Sequence, residues 1–249
     1  MNKNIHLLFL TVLIIDNNVG ITNTLPRKAF IYIRKKTSIS KCLEERCMAM
    51  NFYSSASGFT VKVINDGSFI VTAAHVCVDR APAGVVADKV HSVYKVHRLD
   101  GKEYTANVLT YNIKNDVCLM FANSLVENIE SVKISDLKPL PGEQVHNIAA
   151  PRGLFKPNAA PILDGRYNGM YNISDWYTLP AAPGSSGSMI INTSGKLVGM
   201  VHSVFINFPF MTLSTEYEYL KTFINKNVNK YIIYKNVMNV LDLKDIFSS

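Results

Sequence analysis

Short runs rich in β-branched and aromatic residues, separated by turn residues, recur along most of this chain. Such runs are typical of strands rather than of helices, in which apolar residues recur every three or four positions. Two pairs of runs are joined by turn signals, Asn65-Asp66-Gly67 and Asp100-Gly101, which predict β-hairpins. The predicted strands are residues 58–64, 68–72, 90–99, 103–111, 116–122, 144–150, 171–177, 188–192, 196–205 and 208–213. The pattern therefore predicts an all-β sandwich or barrel.

Residues 131–143 separate the strands into two groups, because Asp136, Pro139, Pro141 and Gly142 disfavour regular structure there. We expect this stretch to be the crossover between two halves of the molecule. Only residues 216–226 predict a helix convincingly, with Ser214 or Thr215 as its N-cap.

The N-terminus has a pattern of its own, in which Lys3 precedes an apolar segment over residues 5–15. This segment is too short to cross a bilayer comfortably but has the length of a signal-peptide core. No Ala-x-Ala pattern marks a cleavage site, although Val19-Gly20 ends in a small residue. We expect an export signal or short anchor over residues 1–20, hence a secreted, periplasmic or membrane-anchored protein. An ordinary buried strand is the alternative, which leaves a virion-associated or intracellular location open; membrane association is expected only through this segment.

Composition adds little to this picture: 48% of the 249 residues are hydrophobic, enough for a sizeable core. The formal net charge is +7, but Lys and Arg are scattered, with Arg34-Lys35-Lys36 as the one tight run. A basic run is usually a solvated face, and no stacking motif or phosphate-binding glycine loop accompanies it. We therefore expect no nucleic-acid partner. No zinc-type spacing occurs either, so we expect no metal and no cofactor.

Three motifs supply the parts of a nucleophilic site. His75 follows an apolar strand through Thr72-Ala73-Ala74, Asp116 heads an apolar run, and Ser186 lies in Gly184-Ser185-Ser186-Gly187-Ser188. A serine hydroxyl needs an adjacent base, histidine titrates near neutral pH, and a carboxylate fixes the imidazole tautomer. Taken singly, the histidine could be a satisfied core residue and the serine part of a serine- and glycine-rich loop. Asp100 is an alternative to Asp116, but its glycine neighbour is better explained by a hairpin turn.

In the order His75, Asp116, Ser186, these motifs resemble the chymotrypsin-like serine proteases over residues 55–226. The resemblance implies two six-stranded Greek-key barrels with the active site in the cleft between them, followed by a C-terminal helix. It implies the following domain plan: an N-terminal extension over 21–54, barrels over 55–135 and 136–228 (the latter with the helix), and a tail over 229–249.

The same resemblance implies a serine endopeptidase that acts on polypeptides through an acyl-enzyme. Ser186 would be the nucleophile, His75 the general base and Asp116 its orienting partner, with the amides of Gly184 and Ser186 as the oxyanion hole. The alternative is a catalytically inactive binding or structural module on the same fold.

Departures from the trypsin pattern refine the resemblance. Ser185 stands where trypsin-type zymogens carry an aspartate that captures a new N-terminus, so we expect no activation by that salt bridge. This serine and the segment 149–153 (Ala-Ala-Pro-Arg-Gly) make the sequence more similar to Deg-type bacterial and viral trypsin-like proteases than to zymogen trypsins.

The predicted substrate pocket comprises Pro180, His202 and Ser203. Pro180, six residues before Ser186, replaces the aspartate that selects Lys or Arg in trypsin, so nothing there would bind a cation. His202 either lines the pocket and selects Glu or Gln, or packs near Asp116 or in the pocket wall.

The cysteines are Cys42, Cys47, Cys77 and Cys118, which form disulfides or are small apolar core residues. Cys77 and Cys118 each lie two residues beyond a candidate catalytic residue, so we expect them to be neighbours. Bridges between Cys77 and Cys118 and between Cys42 and Cys47 are both hypotheses.

Overall fold

The computed structural model describes residues 25–43, 46–205 and 207–247, without the side chains of 43, 46, 47 and 238–247. Within these ranges, twelve strands form two closed barrels of six strands each. The first barrel contains β1 (Phe30–Leu43), β2 (Arg46–Ile64), β3 (Gly67–Thr72), β4 (Lys89–Arg98), β5 (Glu103–Asn112) and β6 (Val117–Asn123). The second contains β7 (Gln144–Ile148), β8 (Ile162–Tyr171), β9 (Ser174–Thr178), β10 (Met189–Asn192), β11 (Leu197–Phe205) and β12 (Phe208–Thr215). Two helices, α1 (Ala74–Cys77) and α2 (Tyr217–Phe247), complete the fold.

Both barrels have the same topology. The strand order is β1-β2-β3-β6-β5-β4 in the first barrel and β7-β8-β9-β12-β11-β10 in the second, with antiparallel pairing throughout. Closure leaves few free sheet edges, and inward side chains fill each barrel. The prediction of two six-stranded barrels followed by a helix is confirmed.

The hairpin and crossover predictions are confirmed as well. The β2–β3 hairpin turns at Asn65-Asp66, with Ile64 opposite Gly67. The β4–β5 hairpin turns around Asp100, whose carboxylate is held by the Arg98 guanidinium through bonds of 2.6 and 2.7 Å. Between β6 and β7, residues 131–143 contain no strand.

The predicted boundary of the first barrel was wrong, because the barrel begins at Phe30 and not at residue 55. Along β1 the alternate positions are buried, but two of them are polar, Lys35 and Thr37. Lys35 donates to the carbonyl of Val78 at 2.6 Å, and Thr37 bonds Ser92 at 3.1 Å. Polar residues at inward positions conceal the apolar alternation by which a strand is recognised.

The helix prediction was correct in kind but not in its ends. Helix α2 extends past Lys226 to Phe247, so the segment predicted as a tail is largely helical. Its start is capped by Glu216, which accepts from the amide of Tyr219 at 2.7 Å, and by Asp175, which accepts from the amide of Tyr217 at 2.7 Å. Ser214 and Thr215 bond other groups, so the predicted caps were wrong.

The predicted signal or anchor segment, residues 1–20, lies outside the described residues. In the part of the chain that is described, no helix combines the length and apolar character needed to span a membrane.

Candidate active site

His75 is presented at the end of a completely buried strand. All six residues of β3 are buried, and the chain then passes through Ala73 and Ala74, which are 0% and 1% exposed. Such close packing leaves room for only small side chains before the turn into α1. The His75 imidazole, by contrast, is half exposed and therefore accessible from solvent.

Asp116 holds His75 by two hydrogen bonds. One carboxylate oxygen lies 2.7 Å from Nδ1 of the imidazole, and the other accepts from the backbone amide of His75 at 2.8 Å. Asp116 has a left-handed backbone (φ 48°) at the end of a turn that its own amide closes onto Ile113. This arrangement fixes the ring and leaves Nε2 without a hydrogen-bond partner among the described residues.

The electrostatics of the pair keep the Asp116 carboxyl ionised. Burial opposes its ionisation, but the hydrogen bonds and charge of His75, with a smaller contribution from His202, outweigh burial and lower the pKa of Asp116. A carboxylate that stays charged can stabilise an imidazolium beside it.

The loop that carries Ser186 lies against the segment that leads to His75. Ser57 donates its amide to the carbonyl of Ser186 at 2.9 Å. A Cβ added at Gly187 would lie 2.8 Å from the amide nitrogen of Ala73, two residues before His75. The loop of the second barrel thus meets the first barrel at its His75 end. No hydrogen bond joins Ser186 Oγ to His75 among the described residues, and such contacts often tighten only once substrate binds.

Gly184 and Ser186 leave two backbone amides free in this loop. Neither N–H group has an acceptor among the described residues, whereas Ser185, Gly187 and Ser188 donate theirs within the protein. Gly184 has φ 99°, and a Cβ there would lie 2.5 Å from the carbonyl oxygen of Ala150. Only glycine fits this position. Two unpaired amides beside a serine are what an oxyanion hole requires.

Ser57 is a site residue that the sequence did not reveal. It is fully buried, and its hydroxyl donates to the carbonyl of Gly184 at 2.8 Å and accepts from the amide of Ala150 at 2.9 Å. Thr72 donates to its carbonyl at 2.8 Å. These hydroxyl partners lie 127 and 93 positions away along the chain, so no local pattern could have found them.

The predicted pocket residues lie on the second barrel. Pro180 is half-buried and belongs to a segment whose neighbours Leu179 and Ala181 donate their amides to the carbonyls of Phe210 and Pro209. Ser203 lies on β11, with its hydroxyl 2.9 Å from Nδ1 of His202.

His202 is close enough to the His75–Asp116 pair to respond to it. Burial lowers the pKa of His202, the Asp116 charge opposes that effect, and His75 adds to it. Its Nε2 also lies 3.4 Å from the Ser174 hydroxyl. This position fits the alternative in which His202 packs near Asp116.

A disulfide between Cys77 and Cys118 confirms the first of the two predicted bridges, with a Cα separation of 6.5 Å. It links α1, which carries His75, to β6, which Asp116 immediately precedes. Cys42 and Cys47 are register partners in the β1–β2 hairpin, but the side chain of Cys47 lies outside the described residues, so that bridge stays a prediction. Among the described side chains, no group of three His, Cys, Asp or Glu could hold a metal ion.

Comparison with known proteins agrees with this geometry. Residues 56–200 match a family model described as a trypsin-like peptidase domain, which is more than half of the chain. A curated relative, "Serine protease HtrA-like" of Staphylococcus haemolyticus (strain JCSC1435), is 26% identical over 168 residues. The match covers 61% of this chain but 24% of the relative, so the chain spans about a quarter of that protein's length.

Proposed function

Because the chain belongs to the trypsin-like peptidase family, we propose that it is a serine endopeptidase that uses Ser186, His75 and Asp116. The observation that carries the proposal is the pair of hydrogen bonds that the Asp116 carboxylate accepts from His75, beside the Ser186 loop. The unpaired amides of Gly184 and Ser186 support it.

In the first half of the proposed reaction, Ser186 Oγ attacks the carbonyl carbon of the scissile peptide bond. Its proton passes to Nε2 of His75, whose imidazolium is stabilised by Asp116. The amides of Gly184 and Ser186 donate to the oxyanion of the tetrahedral intermediate. The C–N bond then breaks, and the leaving amine takes the proton from His75.

In the second half, a water molecule attacks the acyl-enzyme ester and gives a proton to His75. A second tetrahedral intermediate collapses, the bond from carbon to Ser186 Oγ breaks, and His75 returns the proton to Ser186. The new carboxyl group leaves with the acyl part of the substrate.

We propose that small or apolar residues precede the cleaved bond. Pro180 offers no carboxylate, and a buried lysine or arginine there would lose its hydration without a partner. The lowered pKa of His202 favours its neutral form and weakens the alternative of Glu selection. A peptide-library profile tests this; dominance of Lys and Arg would contradict it. Loss of Glu or Gln cleavage in His202→Ala would assign His202 to the pocket.

The mechanism is tested by replacing Ser186 or His75 with alanine. Each variant should lose kcat by on the order of 10⁴-fold or more, and the double variant should lose little beyond that. Ser194→Ala is a matched control, since Ser194 is exposed on a turn of the same barrel. Full activity in either triad variant contradicts the mechanism, and a folded but inert wild-type protein favours the inactive module.

We also propose that the protein is exported. The Cys77–Cys118 disulfide supports this, because such bonds persist in oxidising compartments and are rare in the cytosol. Recovery of the protein outside the cytoplasm on expression with its own N-terminus is the expected result; complete retention inside would contradict it.

A further inference from the structure

Helix α1, which carries His75, is too short to fix its own position. It has four residues. Its backbone bonds run from the amide of Val76 to Ala73 at 3.2 Å and from that of Val78 to Ala74 at 3.1 Å. The carbonyl groups at the end of a helix have no partner within it, so groups elsewhere in the protein must bond them. The orientation of His75 therefore depends on contacts that α1 makes with the barrel.

Two buried side chains bond consecutive carbonyls at that end of α1. The Tyr94 hydroxyl donates to the carbonyl of Cys77 at 2.7 Å, and the Lys35 ammonium donates to that of Val78 at 2.6 Å. Lys35 and Tyr94 are register partners on β1 and β4, and the ammonium lies 5.6 Å from the centre of the tyrosine ring. Tyr94 is 5% exposed and Lys35 is 8% exposed. Both side chains thus reach from neighbouring strands to the same end of one short helix.

Placing these two polar groups inside the protein opposes folding unless they are bonded. Burial lowers the pKa of Lys35, and the charge of Asp79 opposes that effect. Burial also raises the pKa of Tyr94 to about 12, so at neutral pH its hydroxyl keeps the proton that it donates. Methionine and phenylalanine would fill these positions without a polar group to desolvate. What distinguishes Lys35 and Tyr94 from such apolar residues is the bond that each makes to α1.

We propose that Lys35 and Tyr94 are positioning residues for His75. The inference rests on the proposed function, in which His75 is the general base. Asp116 holds the imidazole and the amide of His75, whereas Lys35 and Tyr94 hold the carbonyl end of the same helix. Among the described side chains, neither of the two bonds His75 itself. Each therefore acts through the backbone of α1.

The geometry gives the size of the expected effect. The Cys77–Cys118 disulfide also ties α1 to β6, so loss of one carbonyl bond should let the helix end shift without releasing it. Misplacing a catalytic group by about 1 Å can lower the rate about 100-fold. A shift of a few tenths of an ångström at His75 should lower kcat about tenfold. KM should stay within about twofold, because the predicted pocket is on the second barrel.

The test compares Lys35→Met and Tyr94→Phe with Thr37→Val as the control. Thr37 and Ser92 form the next register pair on the same face of β1 and β4, with their hydroxyls 3.1 Å apart. Among the described residues, Thr37 makes no hydrogen bond to α1. We expect Lys35→Met and Tyr94→Phe each to lower kcat about tenfold on a chromogenic peptide with alanine before the cleaved bond. Thr37→Val should keep the wild-type kcat, although all three variants should unfold at lower temperature.

The state of the His75 ring is a second readout that stability alone does not change. In protein that contains isotope-labelled histidine, the NMR resonances of the ring nitrogens report the tautomer that Asp116 fixes. The His75 resonances are those that disappear in His75→Ala. We expect Lys35→Met and Tyr94→Phe to shift them, and Thr37→Val to leave them in place.

The two readouts separate this inference from the proposed function. If the wild type cleaves the peptide, unchanged kcat or unmoved His75 resonances in Lys35→Met and Tyr94→Phe overturn the positioning role, and the protease stands. If the wild type cleaves nothing but both variants shift the resonances, positioning is supported without the protease. An equal loss of kcat in Thr37→Val would assign the losses to general destabilisation of the barrel and overturn the inference. If only one of the two variants folds, that variant decides by the same criteria.

Discussion

Replacing Gly187 with alanine should destabilise the contact between the two barrels more than a substitution at an exposed position does. An added Cβ would lie 2.1 Å from Thr72 Oγ1, 2.4 Å from the carbonyl oxygen of Ser57 and 2.8 Å from the amide nitrogen of Ala73. Thr72 could rotate away, but the other two atoms are backbone of the first barrel. Gly187 also has φ 83°, which L-residues adopt at a cost.

The structure gives the magnitude in two parts. The left-handed backbone costs about 1–2 kcal/mol for alanine, and forcing a methyl group into a filled site costs about 1–3 kcal/mol more. Gly84 supplies a matched control, because its φ of 78° is nearly the same but nothing lies within 4 Å of its added Cβ. Gly84→Ala should therefore show the backbone cost alone, about 1–2 kcal/mol.

Equilibrium urea unfolding of both variants measures the difference. We expect Gly187→Ala to lose about 1–3 kcal/mol more in free energy of unfolding than Gly84→Ala, and to lose peptidase activity as the Ser186 loop shifts from Ala73. Equal losses in the two variants would refute the close packing of the nucleophile loop against the first barrel.

Three further changes test other contacts. Ser57→Ala leaves the Ala150 amide without a hydrogen-bond partner and should lower the free energy of unfolding by about 1–3 kcal/mol. It should also lower kcat more than it raises KM. An unchanged kcat would contradict a role for the hydroxyl in holding Gly184. Replacing Cys77 and Cys118 together by alanine opens a loop of 41 residues and should cost about 4 kcal/mol, measured by thermal unfolding; no loss would contradict it. Since the folded-state pKa of Asp116 is lowered, its contribution to stability is complete above its ordinary pKa and is lost as pH falls through the lowered value. The stability difference between wild type and Asp116→Asn should therefore shrink in acid unfolding series; a difference that grows below pH of about 4 would contradict this.

Local signals predicted much of this fold and supplied the candidate residues of the site. The hairpin turns at Asn65-Asp66 and Asp100 depend on a few adjacent residues. The segment that leads to His75 is a buried strand followed by two alanines. Each of these features depends on consecutive residues, so the apolar periodicity of the sequence and its turn residues predict it.

Features that depend on distant partners could not be predicted in this way. Lys35 and Thr37 can occupy inward positions of β1 because they form hydrogen bonds with Val78 and Ser92. These polar residues interrupt the apolar alternation of the strand, so the sequence does not predict it. Strand β8 carries polar and glycine residues with little burial, so it lacks an apolar pattern. Ser57 acquires its role only when the two barrels meet.

The assignment of Ser186 as the nucleophile is tested most directly by labelling with a fluorophosphonate probe, followed by mass spectrometry of the Ser186 peptide. The proposed mechanism predicts one phosphonylated serine, Ser186, with no label on its neighbours Ser185 and Ser188. It also predicts that labelling disappears in His75→Ala, because the hydroxyl loses its base. A folded protein that takes no label, or takes it on Ser185 or Ser188, would contradict the assignment of Ser186 as the nucleophile.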